Sequence, residues 1–202
     1  MYIVRNKYNE HRGLSLMFFR GCNMDESCKI TTYTGLRFNP LEATKDDIDI
    51  RDIAHSLPLI CRGNGQVKTF FSVAQHCINC AREAGARGYS KRVQLACLLH
   101  DAAECYLSDV PRPLKQFLPE YYGYEDRILG LIYEKYMGSA ISAEENRLVR
   151  EVDDVMLYYD LHTLLQMKDE PQPDVHITLS YEFRPFEDVE NEYMELFCRL
   201  SS

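Results

Sequence analysis

Two helix-initiation signals constrain the fold of this 202-residue chain more than any other feature of its sequence. Each is a capping box, in which a serine precedes a glutamine or glutamate by three residues: Ser72 with Gln75, and Ser142 with Glu145. In such a pair the two side chains satisfy backbone N–H groups that would otherwise lack a partner. We therefore expect one helix to run from Ser72 to about Ala84 and a long one to begin after Ser142.

Apolar residues at helical spacing predict further helices around these two. The long helix continues through apolar positions as far as Leu165. Four other segments carry the same signals: one from about Asp46 that Pro58 kinks or ends, one from Ser90 to about Cys105, one over 124–136 and one from about Phe186 to Leu200. Prolines at 111, 113 and 119 leave room for only a short helix over 114–117. The chain is predicted to be all-α, a compact bundle of about six helices.

The first 40 residues lack this helical period. Short stretches of extended character at residues 2–4, 14–19 and 30–33 are separated by glycines and polar turns. We expect residues 1–40 to form an irregular extension with room for a short β-hairpin, and residues 41–202 to form the helical domain. A chain of this length, with 46% hydrophobic residues, fits one globular domain overall.

The charge balance argues against some partners. The chain carries 31 acidic and 23 basic residues, a net charge of -8, so a nucleic-acid backbone would be repelled. No apolar run reaches the roughly 20 residues that a membrane-spanning helix needs, and no N-terminal stretch has the pattern of a secretory signal. We expect a soluble, cytoplasmic protein that binds neither nucleic-acid polymers nor membranes.

The eight cysteines are expected to be reduced. Four lie in apolar helical contexts, where free thiols behave as small hydrophobic groups: Cys61, Cys97, Cys105 and Cys198. Cys77 and Cys80 form a C-x-x-C pair on one helix face, a spacing that in principle ligates zinc or cycles between redox states, but no second pair follows it. Cys22 and Cys28 flank a polar loop that an oxidising setting would allow to be bridged.

The chemistry of the chain concentrates at the segment Leu98-Leu-His100-Asp101-Ala-Ala-Glu104. A histidine and an aspartate stand side by side after an apolar helical run, and together they offer two metal ligands at one point. His76 lies near the start of the preceding helix, so antiparallel packing would bring it to His100. Asp153, on the buried side of the long helix, would complete a set of four.

Two neutral imidazoles and two carboxylates balance the charge of one divalent cation. This donor set favours Mn, Co, Fe, Ni or Zn over Ca, with Mg also compatible. Four protein ligands on separate helices would leave coordination positions for a substrate oxygen, and an open site of this kind indicates catalysis. Asp154 is an alternative to Asp153, but the apolar neighbours Leu148, Val152 and Met156 favour Asp153 for the buried face.

In this order along the chain, His76, His100, Asp101 and Asp153 resemble the H…HD…D tetrad of the HD-domain metal-dependent phosphohydrolase superfamily. The resemblance covers residues 31–165 and is closest to the small bacterial and phage branch that includes the 5'-deoxynucleotidases. Five flanking segments also carry it: Thr32-Tyr-Thr-Gly-Leu-Arg-Phe38, Asp47-Ile-Asp-Ile-Arg-Asp-Ile-Ala-His55, Ile60-Cys-Arg62, Phe71-Ser-Val-Ala-Gln-His76 and Leu107-Ser-Asp109-Val-Pro-Arg-Pro-Leu-Lys115. It implies the HD helical-bundle fold, a bound divalent metal and a homodimer.

Four more residues are expected to act at this site. Glu104 follows Asp101 by three residues and so lies on the same side of a helix, where its carboxylate can move a proton. The resemblance places Glu104 and Asp109 in the active site, as catalytic residues. Arg62 is expected to bind the substrate phosphate, because a guanidinium group matches two phosphate oxygens and stays charged. Lys115 is a second phosphate-binding candidate.

The chain departs from the resembled family in the segment after Arg62. Close members read Cys-Arg-Phe-Asn-Gly-His, whereas this chain reads Cys61-Arg-Gly-Asn-Gly-Gln66. Some deoxynucleotidases place a tryptophan just after the arginine to exclude the ribose 2'-hydroxyl, and this chain has no tryptophan. A preference for deoxyribose is therefore not carried over.

The sequence thus predicts a metal-dependent phosphohydrolase that hydrolyses the phosphate ester of a small nucleotide, in the first instance a (deoxy)nucleoside 5'-monophosphate. Three alternatives stay open: a (d)NTP triphosphohydrolase, a nucleotide-binding HD sensor that holds the metal without catalysis, and an all-helical interaction protein that binds no metal. Glu104 favours an enzyme, since a pure binding protein has no need of a proton-transferring carboxylate.

Overall fold

Eight helices and one β-hairpin form the described part of the chain, residues 29–167 and 172–202 of a computed structural model. In chain order they are β1 (Ile30–Thr31), β2 (Arg37–Phe38), α1 (Ile50–Ser56), α2 (Val73–Ala86), α3 (Lys91–Leu99), α4 (Glu104–Leu107), α5 (Arg112–Lys115), α6 (Pro119–Met137), α7 (Ala143–Leu165) and α8 (Phe186–Ser201). All but α4 and α5, which are single turns, have seven residues or more. This is the all-α fold with a short hairpin that the sequence predicts.

Both predicted capping boxes form. The Ser72 hydroxyl accepts a hydrogen bond from the Gln75 backbone N–H, and the Gln75 side chain accepts one from the Ser72 N–H. Ser142 and Glu145 make the same reciprocal pair at the start of α7. Because each box satisfies orphan N–H groups at a helix start, it fixes where the two helices begin.

α3 lies at the centre of the fold, where it contacts α2, α6, α7 and α8. Its C-terminal residues from Leu95 to Leu99 are all buried, as the unbroken apolar run predicts. α8 packs its predicted apolar face against this centre, and the face consists of Val189, Tyr193, Leu196, Phe197 and Leu200. The core is therefore built between α3 and the helices that surround it.

The β-hairpin packs on the helical body through one aromatic side chain. β1 and β2 pair antiparallel with Ile30 opposite Phe38, and Phe38 is fully buried with its ring stacked on Tyr106 at 4.0 Å between centroids. The extended pieces predicted over 2–4 and 14–19 lie outside the described residues, as do Cys22 and Cys28. The division at residue 40 stays a prediction. The six cysteines of the described ranges are free.

Two predicted helix boundaries are wrong. The helix expected from Ser90 to about Cys105 ends at Leu99, and α4 resumes only at Glu104. Between them the backbone forms turns with hydrogen bonds three residues back, such as Ala102 N–H to the Leu99 carbonyl at 2.9 Å and Glu104 N–H to the Asp101 carbonyl at 3.0 Å. α6 begins at Pro119 rather than at 124, because proline is favoured in the first turn of a helix, where its missing N–H costs nothing.

The other boundaries agree with the sequence to within a few residues. α1 is capped by Asp49 and ends at Ser56, and Pro58 lies in the 3-10 turn that follows, consistent with an ending at this proline. The short helix expected over 114–117 is α5, two residues earlier. In the part of the chain that the structure describes, none of the helices has both the length and the apolarity to cross a bilayer.

A buried hydrogen bond joins α8 to α3, and its loss should be measurable. Tyr193 Oη donates to the Leu98 carbonyl at 2.8 Å. Leu98 lies in the last turn of α3, where carbonyl groups have no N–H partner within the helix. Tyr193→Phe should lower the free energy of unfolding by about 1–3 kcal/mol, because a buried carbonyl loses its donor. Tyr122→Phe, at a side chain that is 40% exposed, is the matched control and should change it by less than about 0.5 kcal/mol. Urea denaturation checks both, and equal midpoints for the two variants would contradict the assignment.

Candidate metal centre

The structure brings His76, His100, Asp101 and Asp153 to one point. His76 Nε2 lies 3.1 Å from Asp153 Oδ1 and 3.9 Å from Asp101 Oδ2. His100 Nε2 lies 3.3 Å from Asp101 Oδ2 and 3.6 Å from Asp153 Oδ1. Each carboxylate is therefore within 4 Å of both imidazoles. The roles of these residues stay predictions, but the side chains converge as a shared ligand set requires.

Three helices position these groups. His76 lies in the first turn of α2, and His100 and Asp101 follow the last residue of α3. A short turn joins α2 to α3, so the start of one helix meets the end of the other, and the two imidazole centroids lie 5.3 Å apart. Asp153 reaches the same point from the middle of α7, which contacts both helices.

The outer nitrogen of each imidazole is held by an acceptor. His76 Nδ1 lies 2.8 Å from Asp160 Oδ2, and His100 Nδ1 lies 2.7 Å from the Cys97 carbonyl oxygen. A carboxylate and a carbonyl only accept, so in the neutral ring Nδ1 carries the proton and Nε2 keeps its lone pair. Nε2 of His100 is buried and has no hydrogen-bond partner within residues 29–167 and 172–202. Both rings thus have the tautomer and the outer-shell support of metal-binding histidines.

Asp160 is a functional candidate that the sequence reasoning missed. It is buried, and its Oδ1 accepts a hydrogen bond from Tyr181 Oη at 3.0 Å while Oδ2 holds His76. Its position gives a signal, since it follows Asp153 by seven residues and therefore lies on the same face of α7 two turns later. A second carboxylate on the buried face of α7 therefore indicates a residue that supports the cluster around Asp153.

Burial and neighbouring charges shift pKa values throughout the cluster. Burial would lower the pKa of His100, but nearby Asp101, Cys77 and Asp153 raise it well above its usual value. Burial would raise the pKa of Asp153, yet the two imidazoles hold it well below its usual range. The centre therefore favours positive charge, which protons on the imidazoles or a divalent cation can supply.

The spacing of the donor atoms fits a metal ion. Metal–ligand bonds of about 2.0–2.2 Å place adjacent ligand atoms about 3.0–3.6 Å apart. Three of the four imidazole–carboxylate distances lie in that range, and the fourth, from His76 to Asp101, is 3.9 Å. Two imidazoles and two carboxylates also suit a divalent transition metal in charge and donor type. The cluster is therefore able to hold such an ion.

Two cysteines border the same cluster. Cys80 Sγ lies 3.5 Å from His76 Nε2, and the ligand atoms of His76, Cys80, His100 and Asp153 all lie within 4.8 Å of one another. Cys77 forms a smaller group with His100 and Asp101. Burial raises the pKa of Cys77 to about 11 and that of Cys80 well above its usual value, so both are protonated thiols when no metal is bound.

A cavity of about 460 Å³ opens beside the cluster, within the range of small-molecule sites, roughly 300–1,000 Å³. Asp101, Asp153 and Asp160 lie in its lining. Its apolar lining comes mainly from the C-terminal half of α7: Val67, Leu157, Leu161, Leu164, Leu165 and Met167. The lining also includes the other predicted site residues: Arg62, Glu104, Asp109 and Lys115. The cavity can therefore contact both charged and apolar groups of a small molecule.

Arg62 lies between two carboxylates at the charged end. Its Nη1 is 3.4 Å from Asp101 Oδ2, and its Nε is 3.4 Å from Asp160 Oδ2. Burial would lower its pKa, but Asp160 and Asp101 raise it, so the guanidinium stays charged. Gly63, which follows it, has a φ of 60° and lines the cavity. A larger side chain at this left-handed position would be strained, consistent with the glycine that replaces the phenylalanine of the resembled family.

The two predicted proton-transfer residues lie together on the cavity wall. Glu104 is buried, and its Oε2 has no hydrogen-bond partner in the part of the chain that the structure describes. Burial, Asp101 and Asp109 raise the pKa of Glu104 well above its usual value. The pKa of Asp109 is also raised, by burial first. Ser108, between them, has a φ of 72° and a ψ of 156°, a strained backbone conformation of the kind that clusters at functional sites.

The remaining cations of this region are already paired. Lys115 Nζ lies 2.5 Å from Glu125 Oε1 and 3.5 Å from Glu104 Oε1. Arg112 donates to Asp153 Oδ2 at 2.5 Å and to Asp154 Oδ1 at 2.8 Å. The Asp154 side chain is 63% exposed, whereas Asp153 turns its other oxygen to the two imidazoles. The structure thus places Asp153 rather than Asp154 in the cluster.

Comparison with known proteins gives relatives over part of the chain. No family model matches it. Similar proteins include "Uncharacterized protein YfdR" of Escherichia coli strain K12, which is 42% identical over 107 residues, or 53% of this chain and 57% of YfdR. "Uncharacterized protein RCAP_rcc00048" of Rhodobacter capsulatus is 34% identical over 129 residues, or 60% and 65% of the two chains. The chain therefore spans less than two thirds of the length of either relative.

Proposed function

We propose that this protein is a metal-dependent phosphohydrolase of the HD-domain type that acts on a small nucleotide, a (deoxy)nucleoside 5'-monophosphate. One observation carries the proposal. Asp101 and Asp153, from the cluster fit for a metal, line the same cavity as Arg62, whose side chain is only 12% exposed, and Glu104, a buried carboxyl group with a raised pKa. This combination supplies a site for a phosphate, a charge to hold it and a group to move a proton.

The metal would be held by His76, His100, Asp101 and Asp153. The donor types favour Mn, Co, Fe, Ni or Zn, and Mg is also compatible. When bound, a divalent cation at this point withdraws charge from a phosphate ester and makes the phosphorus easier to attack. Asp160 and the Cys97 carbonyl keep both imidazoles in the orientation that presents Nε2.

The other residues act directly on the substrate. Arg62 binds phosphate oxygens and stabilises the negative charge that grows on them in the transition state. Burial and Asp101 raise the pKa of Glu104, which favours its protonated form and suits it to protonating the leaving oxygen as the ester bond breaks. Asp109 lines the same cavity and would accept the proton that the attacking water loses as it bonds to phosphorus. The apolar wall of α7 packs against the nucleoside.

The charges of the cavity favour a monophosphate. Lys115 and Arg112 already contact carboxylates at 2.5 Å, whereas the contacts of Arg62 to carboxylates are longer, at 3.4 Å. Arg62 is therefore the cation best able to turn to an incoming phosphate. A triphosphate carries more charge than one arginine and one metal would neutralise. The homodimer and the cytoplasmic location stay predictions of the sequence.

Phosphate release from a panel of nucleotides tests the proposal. Ribo- and deoxynucleoside mono- and triphosphates are incubated with Mn²⁺, Co²⁺, Mg²⁺ or EDTA, and Asp101→Ala is run beside the unchanged protein. We expect phosphate release from monophosphates that requires a metal and that Asp101→Ala abolishes. Release of tripolyphosphate would instead indicate the triphosphohydrolase, and metal-dependent nucleotide binding without turnover would indicate the sensor. A protein that binds no metal would overturn all three.

The neighbours Asp153 and Asp154 form a matched pair of variants. Asp153→Asn should lower metal occupancy and cut activity by at least about 100-fold, because it removes a ligand charge from the cluster. Asp154→Asn changes the same functional group one residue along, on the exposed side, and should leave both within about threefold, as for most surface substitutions. Equilibrium dialysis with Mn²⁺ followed by metal analysis checks the occupancy. Equal losses of metal occupancy and activity in the two variants would contradict the assignment of Asp153 as a ligand.

Asp160 is expected to act through His76 rather than on the substrate. Asp160→Asn should weaken metal affinity by about 10- to 100-fold, the usual effect of losing an outer partner of a ligand histidine. Activity at saturating metal should recover to a large extent. A loss that added metal does not restore, with the metal affinity unchanged, would show that Asp160 has another role.

A further inference from the structure

Cys80 differs from the other buried cysteines in where its sulfur points. It follows His76 by four residues on α2, so the two side chains lie on one face of the helix, one turn apart. Its Sγ approaches His76 Nε2, the ring nitrogen that faces the cluster, at 3.5 Å. His100 belongs to the same group of donors, and its buried Nε2, which has no hydrogen-bond partner among the described residues, lies 3.6 Å from Asp153 Oδ1. The thiol therefore lies among the donor atoms and not merely beside them.

Core packing is the ordinary explanation for a buried cysteine, and it suffices for Cys97. That side chain is also fully buried, but its sulfur belongs to neither donor group in the described residues. Cys77 belongs to a group of three, with His100 and Asp101. Cys80 alone shares one group with His76, His100 and Asp153, which makes four donors within the described ranges.

We propose that Cys80 is a metal ligand that makes this centre selective for a thiophilic divalent metal, Zn²⁺ among the physiological ones. The inference rests on the proposed metal centre and adds a fifth residue to it. Two donor sets share His76, His100 and Asp153. Asp101 completes the set suited to harder metals such as Mn²⁺, and Cys80 completes the set suited to Zn²⁺.

The distances suit a tetrahedral site. With bonds of about 2.0–2.1 Å to nitrogen or oxygen and about 2.3 Å to sulfur, nitrogen–sulfur edges measure about 3.3–3.8 Å and nitrogen–oxygen edges about 3.1–3.6 Å. The sulfur of Cys80 lies 3.5 Å from His76 Nε2, and Asp153 Oδ1 lies 3.1 and 3.6 Å from the two imidazoles. Three measured edges thus agree with one tetrahedron. On binding, the thiol proton leaves to solvent and a sulfur–metal bond replaces the sulfur–hydrogen bond.

Metal selectivity follows from the softness of the donor. A thiolate binds Zn²⁺, Co²⁺ and Cd²⁺ far better than it binds Mn²⁺ or Mg²⁺. Removing Cys80 should therefore weaken Zn²⁺ binding by at least the roughly 10- to 100-fold that the loss of an outer partner costs, while Mn²⁺ binding changes little. A cysteine that only fills space would affect both metals alike.

Co²⁺ is the probe, since a Co²⁺–thiolate bond gives a near-ultraviolet charge-transfer band that oxygen and nitrogen ligands do not produce. The full chain is stripped with a chelator, reloaded with one equivalent of Co²⁺ and compared with Cys80→Ala, Cys80→Ser and Cys77→Ala. Cys97→Ala is the matched control for loss of a buried thiol. Competition between Zn²⁺ and Mn²⁺ is measured on the same samples, and circular dichroism checks that each variant is folded.

We expect the band in the unchanged protein and in Cys97→Ala, and its loss in both Cys80 variants while the visible d–d bands of bound Co²⁺ persist. Bound Co²⁺ without a charge-transfer band in the unchanged protein overturns the inference and leaves the metal centre standing, whether or not any variant folds. No bound Co²⁺ at all means that the metal centre itself is wrong. A band that survives in Cys80→Ala or Cys80→Ser, or disappears only in Cys77→Ala, overturns the assignment to Cys80.

Discussion

The fold depends on a buried array of opposite charges between α2, α3 and α7. His76 lies between the carboxylates of Asp153 and Asp160, at 3.1 and 2.8 Å, and Asp101 and Arg62 extend the array. Removing one partner from such a set leaves an uncompensated buried charge, which typically costs about 3–5 kcal/mol. The buried charges therefore restrict how these three helices pack against one another, while α1, α6 and α8 add their buried apolar side chains to the core.

Much of this was predictable because its signals are local. The capping boxes at Ser72 and Ser142 identify two helix starts from four residues each, and the apolar stripe of α8 marks its buried face. The convergence of His76, His100 and Asp153 was also predictable, since each lies on or beside a buried helix face and two of the helices are joined by a short turn. Apolar periodicity alone predicts that Asp153, rather than Asp154, lies on the buried face of α7.

The rest depends on contacts between segments that are distant in sequence. The break after Leu99 arises where the chain turns to present His100 and Asp101, and the apolar run before it gives no sign of this end. Pro119 favours a break when only the sequence is considered, although a proline in the first turn of a helix is favourable. Asp160 carries no motif of its own, and its position beside His76 follows only once α2 and α7 are packed together. Cys80 lies one turn from His76 by its spacing in α2, but its place among the donor atoms depends on how Asp153 reaches them from α7.

The two oxygens of Asp160 connect two parts of the protein. One accepts the hydrogen bond of His76 Nδ1, within the cluster, and the other accepts that of the Tyr181 hydroxyl, which lies in the chain between α7 and α8. Because one carboxylate makes both hydrogen bonds, a rotation of its side chain that changes one contact must also change the other. The segment that leads to α8 is therefore linked through a single side chain to the orientation of the His76 imidazole.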